Sequence, residues 1–181
     1  MLQLKTMFDN KVTTAASELL DVDDVKTHLA ITHTDDDAYL TDLIKQVRAS
    51  VERYCGISIG AQTRRWVYDE WEQWPDNEAT IPYGPITAVT DVTRRTGPGT
   101  TDTLAADDDY EVQGELFKTI TVPGGGRCTV TYTCGYSTLP DDLKRGMLEE
   151  IAYRYEHRGD AKDGLSDRAI NYLIRFKDMN W

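Results

Sequence analysis

The spacing of apolar residues changes twice along this chain, and that change restricts the folds open to it. From Asp36 to Cys55 the residues Leu40, Leu43, Ile44, Val47, Val51 and Tyr54 recur at helical spacing, with Asp42, Lys45, Arg48, Glu52 and Arg53 on the other face. Beyond Gly60 the pattern becomes short β-branched and aromatic segments bounded by Pro and Gly: QTRRWVYDEW, TIPYGPITAVTDVTRR, DYEVQ, LFKTITVP and RCTVTYTCGY. Helical spacing resumes after Pro140, with Leu143, Met147, Leu148, Ile151, Ala152 and Tyr155 directed inward. Helices on both sides of a strand-rich middle predict an α+β fold, a small helical bundle from the N- and C-terminal regions with an inserted antiparallel β module. The expected divisions are an N-terminal leader over 1–16, bundle helices over 17–57, the β module over 58–138, a bundle helix over 139–160 and a C-terminal helical arm over 161–181.

Local signals refine this outline. Asp21 caps a short helix whose Val22, Val25 and Leu29 share a face, and Asp24 stands where a capping-box acid would sit. The run Asp35-Asp36-Asp37 opens the long helix. Thr34 or Asp35 can accept from the free N–H groups of its first turn, and the remaining carboxylates lie at the positive end of the helix dipole, each worth about 0.3–1 kcal/mol. A calcium loop would need a glycine at its sixth position, where a count from Asp35 reaches Leu40, so no metal is expected there. Gly56 is a C-cap candidate, Gly159 a helix stop and Ser166 an N-cap, while Glu150 and Arg154 form an i,i+4 pair expected on the outside. TGPGT after Arg95 and PGGG after Val122 read as hairpin connections, the second without the GK[ST] of a phosphate cradle. In CTVTYTC, Cys128, Val130, Tyr132 and Cys134 share one face and the threonines the other, as in a half-buried strand.

Charge and residue types then narrow the function. A formal charge of −11 opposes conventional nucleic-acid binding, because duplex affinity comes mostly from Lys and Arg neutralising phosphates. Trp66, Tyr68, Trp71 and Trp74 have only Arg64 and Arg65 beside them, offset by Asp69, Glu70 and Glu72, so they read as packing residues more than as a base-stacking platform. Cys55, Cys128 and Cys134 are odd in number and lack any CxxC pair; they read as buried reduced thiols. With 3 histidines and no HExxH, GxSxG, Walker or dinucleotide motif, nothing marks a catalytic or cofactor site. Glu149 and Glu150 project about 100° apart on a helix and fit a solvated face. The Arg158-Gly159-Asp160 tripeptide is explained by the helix stop. No segment has the length and apolarity of a membrane span or signal peptide, so a soluble cytoplasmic product with no cofactor is expected.

The C-terminus departs from the rest. Ile170, Leu173, Ile174, Phe176, Met179 and Trp181 crowd a segment that also carries Arg168, Arg175 and Lys177, a cationic end on an acidic chain. Such a segment either docks on its own bundle or packs as an arm into a groove of another subunit.

The stretch LLDVDDVKTHLAITHTDDDAYLTDLIKQVRASVERYCG, the QTRRWVYDEW strand, IPYGPITAVTDV and CTVTYTCGYSTLPDDLKRGMLEEIAYRYEHRGD together resemble the head-tail connector, or adaptor, family of tailed bacteriophages, over about residues 17–160. The resemblance implies a mechanical role without turnover. It implies a homo-oligomeric ring, commonly of twelve copies, beneath the portal protein. It further implies a junction with a stopper or other neck or tail protein, and a channel that genomic DNA crosses without sequence-specific binding. The site would be the virion head-tail interface, reached after assembly in the bacterial host cytoplasm. Carried onto this sequence, the candidate portal contact is the terminal arm, with Arg168, Ile170, Tyr172, Leu173, Arg175, Phe176, Lys177 and Trp181, and the β module faces neighbouring ring components. An acidic channel wall would repel phosphate and let DNA pass. Removal of residues 166–181 is expected to leave the fold intact and abolish attachment to portal-bearing capsids. The alternatives are a stopper or tail terminator of the same neck, or a small acidic enzyme or regulator whose carboxylates converge in a deep pocket.

Overall fold

A computed structural model describes residues 10–68, 77–124, 126–159 and 164–177. They contain helices α1 (Val22–Leu29), α2 (Asp37–Cys55), α3 (Asp141–Glu156) and α4 (Asp167–Leu173), the last running into a 3₁₀ turn, Ile174–Phe176. The strands are β1 (Asn10–Thr14), β2 (Gln62–Tyr68), β3 (Glu78–Thr80), β4 (Ile86–Gly97), β5 (Thr100–Thr103), β6 (Glu111–Gln113), β7 (Thr119–Thr121) and β8 (Cys128–Cys134). Helices with two antiparallel sheets make this the α+β class expected from the changes of period. The chain divides into a β unit, from 1–17 and 60–136, and a helical unit, from 18–59 and 137–181.

The β unit is organised around β8. Both of its edges are paired, with β2 on one side and β4 on the other, in a five-stranded sheet ordered β1-β2-β8-β4-β5. Its inward residues Cys128, Val130, Tyr132 and Cys134 are all buried, so the half-buried alternation holds. A three-stranded sheet, β3-β7-β6, contributes Ala79 and Ile120 to the same core as Trp66, Tyr68, Val92 and Val130. Trp66 and Tyr68 pack ring on ring with centroids 4.8 Å apart, whereas Trp71 and Trp74 lie outside the described residues. One polar cluster enters this core. Tyr132 donates from its hydroxyl to the Pro82 carbonyl at 2.7 Å and accepts from Asn10 Nδ2 at 2.8 Å; Arg64 donates to Asn10 Oδ1 at 3.0 Å and stacks over the Tyr83 ring.

Three readings of this region change. Residues 10–14, expected in a loosely held leader, form the edge strand β1, fixed by its ladder to β2 and by Asn10. TGPGT does turn β4 into β5, but PGGG is no hairpin: β7 and β8 belong to different sheets, since β8 has no free edge to offer. TIPYGPITAVTDVTRR is likewise broken. Ile81 and Ile86 are buried on either side of the Gly84–Pro85 bond, which is cis, and only Ile86 onward is strand β4. At the base of the unit, a Cβ on Gly135 (φ 108°) would fall 2.1 Å from the Gly60 carbonyl oxygen, an approach only glycine permits.

In the helical unit, Asp21 Oδ1 accepts from Asp24 N at 2.7 Å and caps α1 as the sequence indicates. Leu40, Leu43, Ile44, Val47 and Val51 of α2 are buried as their spacing requires, and Gly56 (φ 70°) ends the helix. Asp36 and Asp37, expected only to complement the start of the helix, also bind its neighbours. Asp36 occupies the N-cap position, but its carboxylate makes no cap bond; it accepts from the Tyr155 hydroxyl at 2.5 Å and pairs with Arg158 at 3.1 Å. Asp37 meets Lys26 at 2.9 Å. The acidic run thus ties the start of α2 to α1 and to the end of α3. The bond from Tyr155, with Arg158 alongside, holds the Asp36 carboxyl below its ordinary value, and the same bond raises the Tyr155 hydroxyl.

Two glutamates assigned to the polar face are buried. Glu52 accepts from the Ile59 amide at 2.8 Å and from Arg48 at 3.0 Å, satisfying backbone in the turn that leaves α2. Glu150 does make its pair with Arg154, at 2.7 Å, but inside the unit. Helix α3 ends at Glu156, ahead of Gly159, with His157 as the C-cap. The three cysteines are free thiols and all are buried; burial pushes Cys55 up to about 12.

Candidate functional site

The described residues assigned to a partner contact run from Arg168 on α4 to Lys177 just past the turn, and their geometry begins with the helix that α4 rests on. Gly146 sits in mid-α3, where glycine costs about 1 kcal/mol relative to alanine. A Cβ there would meet Leu173 side-chain atoms at 2.8 Å, and Leu173 is fully buried, so the missing side chain is what lets α4 approach. Ala169 is buried on the same face, and the Leu173 carbonyl accepts from Cys55 Sγ at 3.6 Å.

The entry to α4 is held by charge. Ser166 caps the helix by accepting from Ala169 N at 3.4 Å, and its own N–H donates to Glu150 Oε2 at 2.7 Å. Arg154, on the other Glu150 oxygen, also donates to Ser50 Oγ and to the Gly164 carbonyl, each at 3.3 Å. A buried carboxylate that accepts from a guanidinium on one oxygen and from a backbone N–H on the other holds the start of α4 to α3.

What faces solvent is the remainder. The Arg168 side chain is 86% exposed and 3.6 Å from Glu149, and Arg175 is 76% exposed and 3.2 Å from Asp142. Lys177 lies over the Tyr54 ring, and Ile174 is 57% exposed beside these cations. Ile170, Tyr172 and Phe176 are half-buried, while Trp181 and Met179 lie outside the described residues. Leu173 is a correction: it fills the bundle core and presents nothing to a partner. Removal of residues 166–181 would therefore strip Ala169 and Leu173 from the core and unpair Glu150, so the truncation cannot leave the fold intact. Ile174 replaces Leu173 as the outward aliphatic residue; the crowding of Ile170, Leu173 and Ile174 signalled both, without saying which one faces in.

Elsewhere, Leu116 and Phe117 are exposed on the turn between β6 and β7, with the Phe117 ring against Gly84, an apolar tip that the sequence pattern merged into a strand. Glu149 is no solvated residue, being 11% exposed and paired with Arg145 at 2.7 Å. Among the described residues no group of three or more His, Cys, Asp and Glu could hold a metal, and no helix is long and apolar enough to cross a membrane.

The buried carboxylates of this unit are engaged by structural donors, and its edge around α4 turns cations and an aliphatic side chain outward. The class of the protein comes from comparison with known proteins. A family profile described as Head completion protein matches residues 18–163. No curated protein matches the chain. Among solved structures, a chain in the neck of an empty gene transfer agent particle, computed with C6 symmetry, superposes with TM-score 0.78 at 21% identity, over 94% of this chain and 95% of that one. A chain in the virion of the native particle gives 0.74 at 21%, and one in the native neck computed with C12 symmetry gives 0.73 at 22%, both with the same coverage. At such identities the likeness is one of fold. The chain belongs to the head completion protein family, and its role is a structural one at the head–tail junction of a phage-like particle.

Proposed function

We propose that copies of this chain form a ring, of twelve subunits, that sits beneath the portal and joins the head to the next neck component without catalysing a reaction. The family match carries this reading, and the symmetry of the particles whose neck chains share the fold supports the ring and its copy number. The outward edge of the helical unit, with Arg168, Ile170, Tyr172, Ile174, Arg175, Phe176 and Lys177, is the surface offered to the portal. Its cations lie on the surface of a chain with net charge −11, so they mark the place where an acidic partner is accepted. The remaining acidic surface keeps phosphate at a distance and lets DNA pass through the ring unbound.

The experiment is charge reversal on that edge. Arg168, Arg175 and Lys177 are exposed, so changing all three to Glu is expected to leave thermal unfolding within a few degrees of wild type. The variant should fail to load onto portal-bearing capsids, read by electron microscopy of the neck. Normal loading would refute the portal assignment.

A further inference from the structure

α4 lies antiparallel along α3, and its register is written in the side chains that meet. Arg175 pairs with Asp142 at 3.2 Å, Leu173 lies over Gly146, Arg168 pairs with Glu149 at 3.6 Å, and the Ser166 amide donates to Glu150 at 2.7 Å. Asp142, Gly146 and Glu149 stand at i, i+4 and i+7 and so form one stripe of α3. The glycine is the floor between two carboxylates, and each carboxylate holds one of the outward arginines. Asp142 and Glu149 are two helical turns apart, so the arginines are anchored about 10 Å from each other along α3.

The height of α4 is set at that glycine. A Cβ on Gly146 would stand 2.8 Å from Leu173 Cγ and Cδ2, closer than a real Cβ comes, and 3.3 Å from Tyr172 Cβ. Glycine is unfavourable in mid-helix, and Gly146 has no positive φ, so close approach is the property that the position uses. Leu143, Met147 and Ile151 bury α3 in the core, whereas α4 has seven residues and is anchored by Ala169 and Leu173. An added methyl would therefore lift α4 and leave α3 in place. Under the end of α4, the buried Cys55 thiol donates to the Leu173 carbonyl at 3.6 Å, so lifting the helix uncovers it.

We propose that Gly146 is the positioning residue of the portal-facing edge. It fixes the height and register at which α4 displays Arg168, Tyr172 and Arg175, and α4 keeps this seat when the ring is assembled. The inference rests on the portal reading above and adds that the edge is presented preformed. Cations that are already spaced by their carboxylates lose little further freedom when a partner binds. Lifting α4 parts both arginines from Asp142 and Glu149 while every residue of the edge remains, so it alters the geometry of the surface and leaves its chemistry unchanged.

The test is Gly146→Ala in the full chain, read in two ways. Maleimide labelling, mapped by peptide mass, reports the seat. Cys55 should be protected in the wild type, both free and on loaded capsids, and in the variant it should react faster by about tenfold, because relief of overpacking favours the lifted helix. Cys128 and Cys134 are buried in the β unit and should stay protected in the same sample, and an unchanged helical circular dichroism signal shows that the bundle is folded. Loading onto portal-bearing capsids that lack this chain should fall by a similar factor. Ala169→Val pushes α4 from its own side of the contact; it should reproduce both effects and decides the matter if Gly146→Ala unfolds. Unreactive Cys55 in the folded variants would overturn the seat, and reactive Cys55 on wild-type loaded capsids would overturn the preformed edge. Normal loading by a variant whose Cys55 has become reactive would overturn the positioning role. If reversal of Arg168, Arg175 and Lys177 also leaves loading normal, the portal reading fails; if that reversal blocks loading and the lifted helix does not, only the role of Gly146 fails.

Discussion

The two units satisfy buried backbone by different means. In the β unit, N–H and C=O groups are absorbed by the ladders, and the core can be almost wholly apolar, with the Tyr132–Asn10–Arg64 cluster at one end. The connections between helices have no ladder to pair their amides, and the helical unit supplies a buried carboxylate on two of them: Glu52 takes the Ile59 amide beyond α2, and Glu150 takes the Ser166 amide ahead of α4. A sheet carries its own partners, whereas a short bundle with long connections must recruit them from side chains.

If that contrast is right, the largest effect should come from Glu150→Ala. It removes the acceptor for both Arg154 and Ser166 N and leaves a cation half-paired, at a cost of about 3–5 kcal/mol in urea unfolding. Cleavage by a protease between 157 and 166 should rise with it. The equivalent probe of the β unit is Tyr132→Phe, which keeps the ring packing and deletes two neutral hydrogen bonds, so about 1–2 kcal/mol is expected by the same measurement. A result in which the tyrosine change costs more than the glutamate change would invert the comparison.

The smallest effect sharpens the electrostatic side. Asp36 has a folded-state pKa below its unfolded value of 3.8, so its contribution is present above that value and is lost as pH falls through the lower folded one. Asp36→Asn should therefore reduce stability at neutral pH and flatten the acid decline below about pH 4. Chemical unfolding at pH 7 and pH 3 reads the difference between the two slopes.

The same contrast explains what could be read from the sequence. The buried face of α2 and the alternation of β8 were legible because a single period, 3.6 or 2, places every apolar residue, and the N-caps Asp21 and Ser166 because capping is local. β5 carried no alternation, as TTDT is exposed on both faces, and β1 lacked an apolar run. Glu52 and Glu150 were misplaced for a different reason. An i,i+4 ion pair looks the same on a surface and in a core, and the amides that decide the matter are on connections whose course the sequence does not display. Leu173 was placed on the wrong side because Gly146, the residue that admits it, is distant in sequence.

The path of the chain through its two units bears on how the protein is made. A ribosome finishes the described strands of the β unit before it has synthesised α3 and α4, so that half can close while the nascent bundle still waits for its second pair of helices. Since each unit draws on separate stretches of the coding sequence, neither can be exchanged as a single cassette. Recombination between related genomes would have to carry both of its stretches, and the one lying between them, to move one working half.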